Sequence, residues 1–413
     1  MGRRIFITVA EVSGDQHAGH LAEHLRELDP HLVVEGHGGP EMAEAGVLVH
    51  HETTKRAAMA YQAAARAGEM WKLFRWTRKY FDEHRPDLQI CVDSPAMNFH
   101  FAKIAHERGI PVLYYIAPQL WAWREGRMRK LRKFVDQVAC ILPFEEAYFR
   151  KHGVKATFVG HPLFDELPPG RGPKQGPRFP ERAPVIGLLP GSRKAEAAAN
   201  FPHLLEVAKL IREAYPKISF VVPTTPATTP VVARMAEEFN RLMEEARPPL
   251  PTATIGGEYS GRGTLLRYGE RLFDEMVPEC DLCLTVSGTA TLHVAGYGVP
   301  MIVVYRGSRI LWHLLARWLV KTRTYSLVNL LNESREHIVP EFVPWYGSIR
   351  PVAEMAIDYL RHPQKLAEQR EKLNRLVKKL DNPGASMNVA RLALSMINGN
   401  PHPDPLPAYR ERG

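Results

Sequence analysis

Cysteine is scarce, with four in 413 residues. Cys91 and Cys140 stand alone in apolar runs, and only Cys280-Asp-Leu-Cys283 is closely spaced. A four-sulfur zinc site needs two such pairs, so buried thiols in a reducing compartment are expected instead. No apolar run approaches the roughly 20 residues of a membrane span. The run from Ile5 to Ala10 is too short for a secretory signal and reads as a strand, so a cytoplasmic chain is expected. GxGxxG is missing, which removes the dinucleotide fingerprint. Acidic residues are outnumbered, 45 Asp and Glu against 54 Lys and Arg, for a net charge of +9. That excess favours an anionic partner: a phosphorylated substrate, nucleic acid or an acidic membrane surface.

What is present is strand–helix alternation at a length comfortable for two domains. Strands are expected at Ile5–Ala10, Leu32–Val34, Leu88–Val92, Pro111–Tyr115, Gln137–Leu142 and Thr157–Val159, with helical periods between them. From Leu167 to Pro184 the composition turns to Pro, Gly and charge, which holds neither helix nor ladder and reads as a linker. Alternation resumes at Val185 and continues through Ile218–Val222, Asp281–Val286 and Pro300–Val304, while residues 247–274 carry a weak pattern. The expected organisation is therefore an α/β domain over 1–166, a linker over 167–184, a second α/β domain over 185–398 and a disordered Pro-rich tail over 399–413. Both domains are expected to be doubly wound and Rossmann-like, facing a cleft.

In such sheets ligands bind outside the carboxyl ends of the strands, so the residues just after each strand are the candidates. Glu11-Val-Ser-Gly-Asp15 offers carboxylates and a hydroxyl around a Gly turn, which suits sugar hydroxyls; Ser13 or Asp15 could equally cap the following helix. Asp93 ends an apolar strand in Asp93-Ser-Pro-Ala-Met-Asn98, a partly desolvated place where a carboxylate can serve as general base; the alternative is a helix cap or structural carboxylate. Gln119 and Trp121, in Pro118-Gln-Leu-Trp-Ala-Trp-Arg124, either line an acceptor pocket or pack a loop. Gly191, Ser192 and Arg193 follow the run Val185–Leu189 at a helix start, where backbone N–H groups and a forked cation suit phosphate. Ser287, Gly288 and Thr289 form a second such turn, ending at His293. Residues 70–81, 121–133 and 309–323 each mix aromatics with cations, as an interfacial helix would, or as a core helix with a solvated basic face would. Their aromatics alternate with bulky aliphatics and no recognised RNA-binding motif occurs, so nucleic acid is not expected.

Taken in order, Glu11-Val-Ser-Gly-Asp15, Val92-Asp93-Ser-Pro with Asn98, Pro118-Gln-Leu-Trp-Ala-Trp-Arg124, Leu142-Pro-Phe-Glu145, Val159-Gly-His161, Leu188-Leu-Pro-Gly-Ser-Arg193, Ser287-Gly-Thr-Ala290 and Asn329-Leu-Leu331 resemble the lipid-A-disaccharide synthase family, inverting glycosyltransferases of GT-B architecture. The resemblance spans roughly residues 5 to 345. It implies transfer of a diacylated glucosamine from its UDP derivative to a diacylglucosamine 1-phosphate, with release of UDP, in lipid A biosynthesis for the bacterial outer membrane. It further implies no metal or other cofactor, peripheral association with the anionic cytoplasmic face of the inner membrane, and it admits a homodimer. Asp93 would deprotonate the acceptor hydroxyl; Arg193, Ser287, Gly288, Thr289 and Asn329 would hold the UDP part. His293 stands where the family has Glu, Ala96 where Asp is common, and Pro344 where Gln is expected. Two alternatives stay open: a GT-B enzyme with another nucleotide sugar or lipid acceptor, and a membrane-surface binding protein without catalysis.

Overall fold

The computed structural model describes residues 2–54, 63–121, 125–168, 179–245, 265–306, 324–332, 336–345, 347–381 and 383–399. They fall into two compact units, one drawn from Met1–Glu166 and Asn382–Gly413, the other from Leu167–Asp381. In the first unit seven parallel strands lie in the order β3-β2-β1-β4-β5-β6-β7. They are β1 Arg4–Thr8, β2 Val33–Gly38, β3 Leu48–Glu52, β4 Leu88–Val92, β5 Val112–Tyr115, β6 Gln137–Cys140 and β7 Ala156–Phe158. Side chains alternate across a strand, so the central strands, buried on both faces, read as continuous apolar runs. Ile5 and Ile7 of β1 pack with the helices Val12–Leu28 and Ala385–Asn398. Phe6 between them faces the other side, with Leu73, Phe81, Phe101 and Ile104 of the helices Ala63–Glu83 and Pro95–His106.

The second unit repeats the plan with six parallel strands, in the order β10-β9-β8-β11-β12-β13. These are β8 Val185–Leu189, β9 Ser219–Thr224, β10 Leu266–Glu270, β11 Leu282–Thr285, β12 Met301–Arg306 and β13 Glu341–Trp345. Ile186 and Leu188 open onto a core with Phe201, Leu204, Val232, Phe239 and Val352, from the helices Lys194–Ala214, Thr229–Glu245 and Arg350–Arg361. Both sheets are thus doubly wound in the Rossmann manner, and all four cysteines are buried. No helix of the described residues is long and apolar enough to cross a membrane.

Two domain assignments differ from the sequence reading. Ala385–Asn398, expected in the second domain, belongs to the first unit, where Val389, Ala390, Leu392 and Ala393 complete the core around helix Val12–Leu28. Its start is held by Asp165, whose carboxylate accepts from the backbone N–H groups of Gly384 (2.5 Å), Ala385 (3.2 Å) and Ser386 (3.0 Å). Asp165→Ala is expected to weaken this helix by about 1–2 kcal/mol, the range for a lost N-cap, visible as faster amide exchange over 385–398. The linker is also shorter than its composition suggests. Asp281, 2% exposed, accepts from Arg182 Nη1 at 2.9 Å, from the Val185 amide at 2.9 Å and from the Phe179 amide at 3.3 Å. Residues 179–184 are therefore built into the second unit, and 169–178, like the tail 400–413, lie outside the described residues.

Candidate active site

Strand order reverses between β1 and β4 in the first sheet and between β8 and β11 in the second. The crevice at such a reversal, outside the carboxyl ends of the strands, is where open α/β sheets take ligands. In the first unit β1 and β4 run in register to Thr8 opposite Cys91, and Asp93 follows directly. Asp93 and Ser94 both have left-handed backbones, φ 49° and 45°. For non-glycine residues that costs of order 1–2 kcal/mol each and persists only where the surroundings impose it.

Three side-chain bonds impose it here. Asn98 donates from Nδ2 to the Asp93 and Val92 carbonyls, both at 2.8 Å, and the Tyr114 hydroxyl donates to the Asp93 carbonyl at 2.7 Å. Asn98 Oδ1 accepts from the Thr8 hydroxyl at 2.7 Å, which ties the end of β1 to the turn after β4. Asn98 is fully buried, and these bonds make it hold the main chain of Asp93. The Ser94 hydroxyl, only 6% exposed, has no hydrogen-bond partner among the described residues, which is rare for a buried polar atom. That signal lay in the sequence string Asp93-Ser-Pro but could not be read without the burial.

Asp15 is likewise held by main-chain groups. It is 1% exposed, and its carboxylate accepts from the amides of Gly39 at 2.7 Å and Glu41 at 3.0 Å. It therefore anchors the start of the short helix Pro40–Glu44. Burial pushes its carboxyl up, partly offset by the amides it accepts from. The cap of helix Val12–Leu28 is Glu11, half-buried, while Ser13 and Gly14 lie in the first turn, Ser13 exposed. Gln119 is exposed. The Trp121 indole donates to Glu145 Oε1 at 2.9 Å and meets Phe144 edge-on, ring centres 5.1 Å apart. Trp123 and Arg124 lie outside the described residues. Burial pushes the Glu145 carboxyl up to about 7, against the indole and backbone donors that pull it down. Because the folded value lies above the ordinary 4.5, its stabilising contribution is complete below that value and is lost as pH rises through about 7. Glu145→Gln is expected to flatten this part of the stability curve, read from urea midpoints across that window.

In the second unit β8 and β11 also end in register, Thr285 opposite Leu189. Gly191 has φ 115°, and a Cβ there would lie 2.9 Å from the Glu196 Cβ, so only glycine fits this turn. Ser192 and Arg193 are exposed; Arg193 caps helix Lys194–Ala214 and pairs with Glu196 at 3.5 Å. Thr225, which sequence reasoning passed over, donates from Oγ1 to the Ser192 carbonyl at 3.1 Å and steadies the turn. The second turn adjoins the first: Gly288 has φ 144°, Gly288 and Thr289 are exposed at the start of helix Thr289–Gly296, and a Cβ on Gly191 would lie 3.6 Å from Val286 Cγ2. Ser287 Oγ donates to the Tyr325 carbonyl at 2.6 Å. Two helix N-termini and one guanidinium therefore gather at one switch point, which favours an anion.

Asn329 lies near this second turn through the segment at Tyr325. It is 5% exposed, its Nδ2 donates to the Val339 carbonyl (2.8 Å) and to Glu341 Oε1 (2.7 Å), and its Oδ1 accepts from the Val339 amide (3.0 Å). Among the described residues its amide thus braces the segment that Ser287 touches. His293 Nε2 pairs with Asp274 Oδ1 at 2.8 Å, and the ring stacks on Phe273 with centres 4.1 Å apart. Its hydrogen bond to His293 holds the Asp274 carboxyl below the ordinary range. A carboxylate thus accompanies this imidazole, supplied from a stretch whose weak pattern hid it.

A family model described as lipid-A-disaccharide synthetase matches residues 5–248 and 263–396. Lipid-A-disaccharide synthases of Geobacter metallireducens and Geobacter sulfurreducens are 33% and 34% identical over 400 and 399 residues, covering 96% and 95% of this chain and 97% of each relative. Among solved structures, UDP-GlcNAc 2-epimerase of Neisseria meningitidis, bound to UDP-GlcNAc, matches with a TM-score of 0.58 at 12% identity, over 95% of this chain and 99% of its own. MurG of Acinetobacter baumannii matches with a TM-score of 0.55 at 14% identity, over 95% and 99%. The structural likeness establishes the paired Rossmann units of GT-B proteins. With near-complete coverage at a third identity, the chain belongs to the lipid-A-disaccharide synthetase family of glycosyltransferases.

Proposed function

We propose that the protein transfers a diacylglucosaminyl unit from its UDP derivative to a diacylglucosamine 1-phosphate, with inversion and release of UDP. The observation that carries this reading is that each sheet brings its polar turns to its own switch point: Asp93 and Ser94 in the first, Gly191–Arg193 and Ser287–Thr289 in the second. Asp93 takes the proton from the acceptor hydroxyl as its oxygen attacks the anomeric carbon. The bond from that carbon to the diphosphate breaks, and UDP leaves with the electron pair. N–H groups at the two helix starts, together with Arg193, stabilise the charge that develops on the leaving diphosphate.

Helix Ala63–Glu83 supports a peripheral place on the anionic cytoplasmic face of the inner membrane. It exposes Trp71, with Arg75 lying 5.5 Å from its ring centre, beside exposed Lys72, Arg78 and Lys79. An interfacial aromatic with nearby cations suits an acidic leaflet at about 1 kcal/mol per cation. Residues 309–323, the most extended basic–aromatic segment, lie outside the described residues.

UDP release that requires both acylated substrates together is the expected result. Release that proceeds equally with unacylated sugars would remove the lipid reading. The His293–Asp274 pair favours one second reading, a donor with a different nucleotide or sugar, which competition by other nucleoside diphosphates would expose.

A further inference from the structure

We infer that Glu145 is a positioning residue for the acceptor site, fixing Trp121 and the loop after β5 by a hydrogen bond from the helix that follows β6. The inference rests on the reading that Trp121 belongs to the acceptor site. Glu145 occupies the third position of helix Pro143–Lys151, and its Oε2 accepts from the Leu142 amide at 3.2 Å. Ordinary caps of this kind need only one carboxylate oxygen at a solvated helix end. Here the side chain is 1% exposed, and its second oxygen reaches Trp121, 24 residues upstream.

Burial pushes this carboxyl up to about 7, and the hydrogen bond from the Trp121 indole is the first of the contacts that pull it back down. Phe144, the preceding residue, packs edge-on against the same indole. Consecutive residues of one helix therefore fix both the N–H direction and the ring plane of Trp121. The loop is anchored at its base by Ala117 and Leu120, 6% and 2% exposed, and leaves β5 through Ile116 at φ 57°, a strained conformation for a β-branched residue. A strained exit and two anchors hold residues 116–121 in one shape.

Glu145→Gln keeps the size but offers a single acceptor, so either the indole or the Leu142 amide loses its partner. The expected result is a rise in acceptor KM of roughly 5- to 20-fold, with kcat and donor KM within about 3-fold, as for loss of orientation remote from the bond being made. Trp121→Phe is expected to give a similar rise, and the double variant no further one. If Trp121→Phe raises acceptor KM and Glu145→Gln does not, or if the two effects multiply, the positioning role is wrong while Trp121 keeps its place. If neither variant moves acceptor KM while Asp93→Asn still lowers kcat by about 10²-fold or more, the placement of Trp121 fails and the inference fails with it. Should Glu145→Gln not fold, indole N–H exchange in the wild-type protein decides. Trp121, assigned through Trp121→Phe, is expected to exchange far more slowly than the exposed Trp71, and equal rates would overturn the inference.

Discussion

Asp93→Asn is expected to lower kcat by about 10²–10⁴, the usual contribution of a positioned general base. The KM values for both substrates are expected to stay within a few-fold. Asn is the informative replacement because Asp93 has a left-handed backbone, which Asn tolerates far better than alanine does. The carbonyl bonds from Asn98 and Tyr114 involve only the main chain of residue 93 and survive the change. Melting temperature should therefore stay within about 2 °C, separating chemistry from folding. Asp93→Ala would add backbone strain to the loss of the base, so its larger defect would be partly structural. Turnover of Asp93→Asn within a few-fold of wild type, measured as UDP release with saturating substrates, would exclude this carboxylate as the base.

Arg193→Ala is expected to reduce kcat/KM for the donor by about 10²–10³, as when one donor to a developing anion is removed. The side chain is 65% exposed, and its pairing with Glu196 at 3.5 Å is an i,i+3 surface contact. Such contacts are worth well under about 1 kcal/mol, so the fold should be indifferent to the loss. Arg193→Lys is expected to recover only part of the activity, because an ammonium lacks the planar fork that grips two phosphate oxygens. Product inhibition gives the independent check: the inhibition constant for UDP should rise with Arg193→Ala, while acceptor KM stays put. Unchanged UDP inhibition would place the diphosphate elsewhere in the second unit.

Much of this site was legible in the chain because the strands that carry it are buried on both faces. β1, β4, β8 and β11 are mostly apolar runs, with Gln89 the polar residue inside β4, each followed by a polar turn, and Asp93, Arg193 and Ser287 lie in those turns. Of the edge strands, β7 was legible, as Thr157–Val159, but β3, β10 and β13 were not. β3 reads Leu-Val-His-His-Glu and β10 reads Leu-Arg-Tyr-Gly-Glu; each is paired on one side only, and half-polar strands show too little contrast to stand out. The helix Ala385–Asn398 shows the same limit at larger scale: an amphipathic period says that one face is buried, not which sheet buries it.

The amino-acid order by itself determined that two parallel-sheet units are present and that polar turns at helix starts follow the central strands of the second, since strand burial, turn chemistry and helix starts are local properties. What only the tertiary structure decided is how the polar residues at those turns are used. Asp15, Asn98 and Asn329 looked as available as Asp93 and Arg193, yet their carboxylate and amides are consumed by main-chain groups brought in from elsewhere in the chain. Glu145, Thr225 and Asp274 gained their partners Trp121, Ser192 and His293 in the same way. A side chain's type declares which bonds it can make, but the partners within 3 Å, and the water excluded around them, are set only when distant strands close into a sheet.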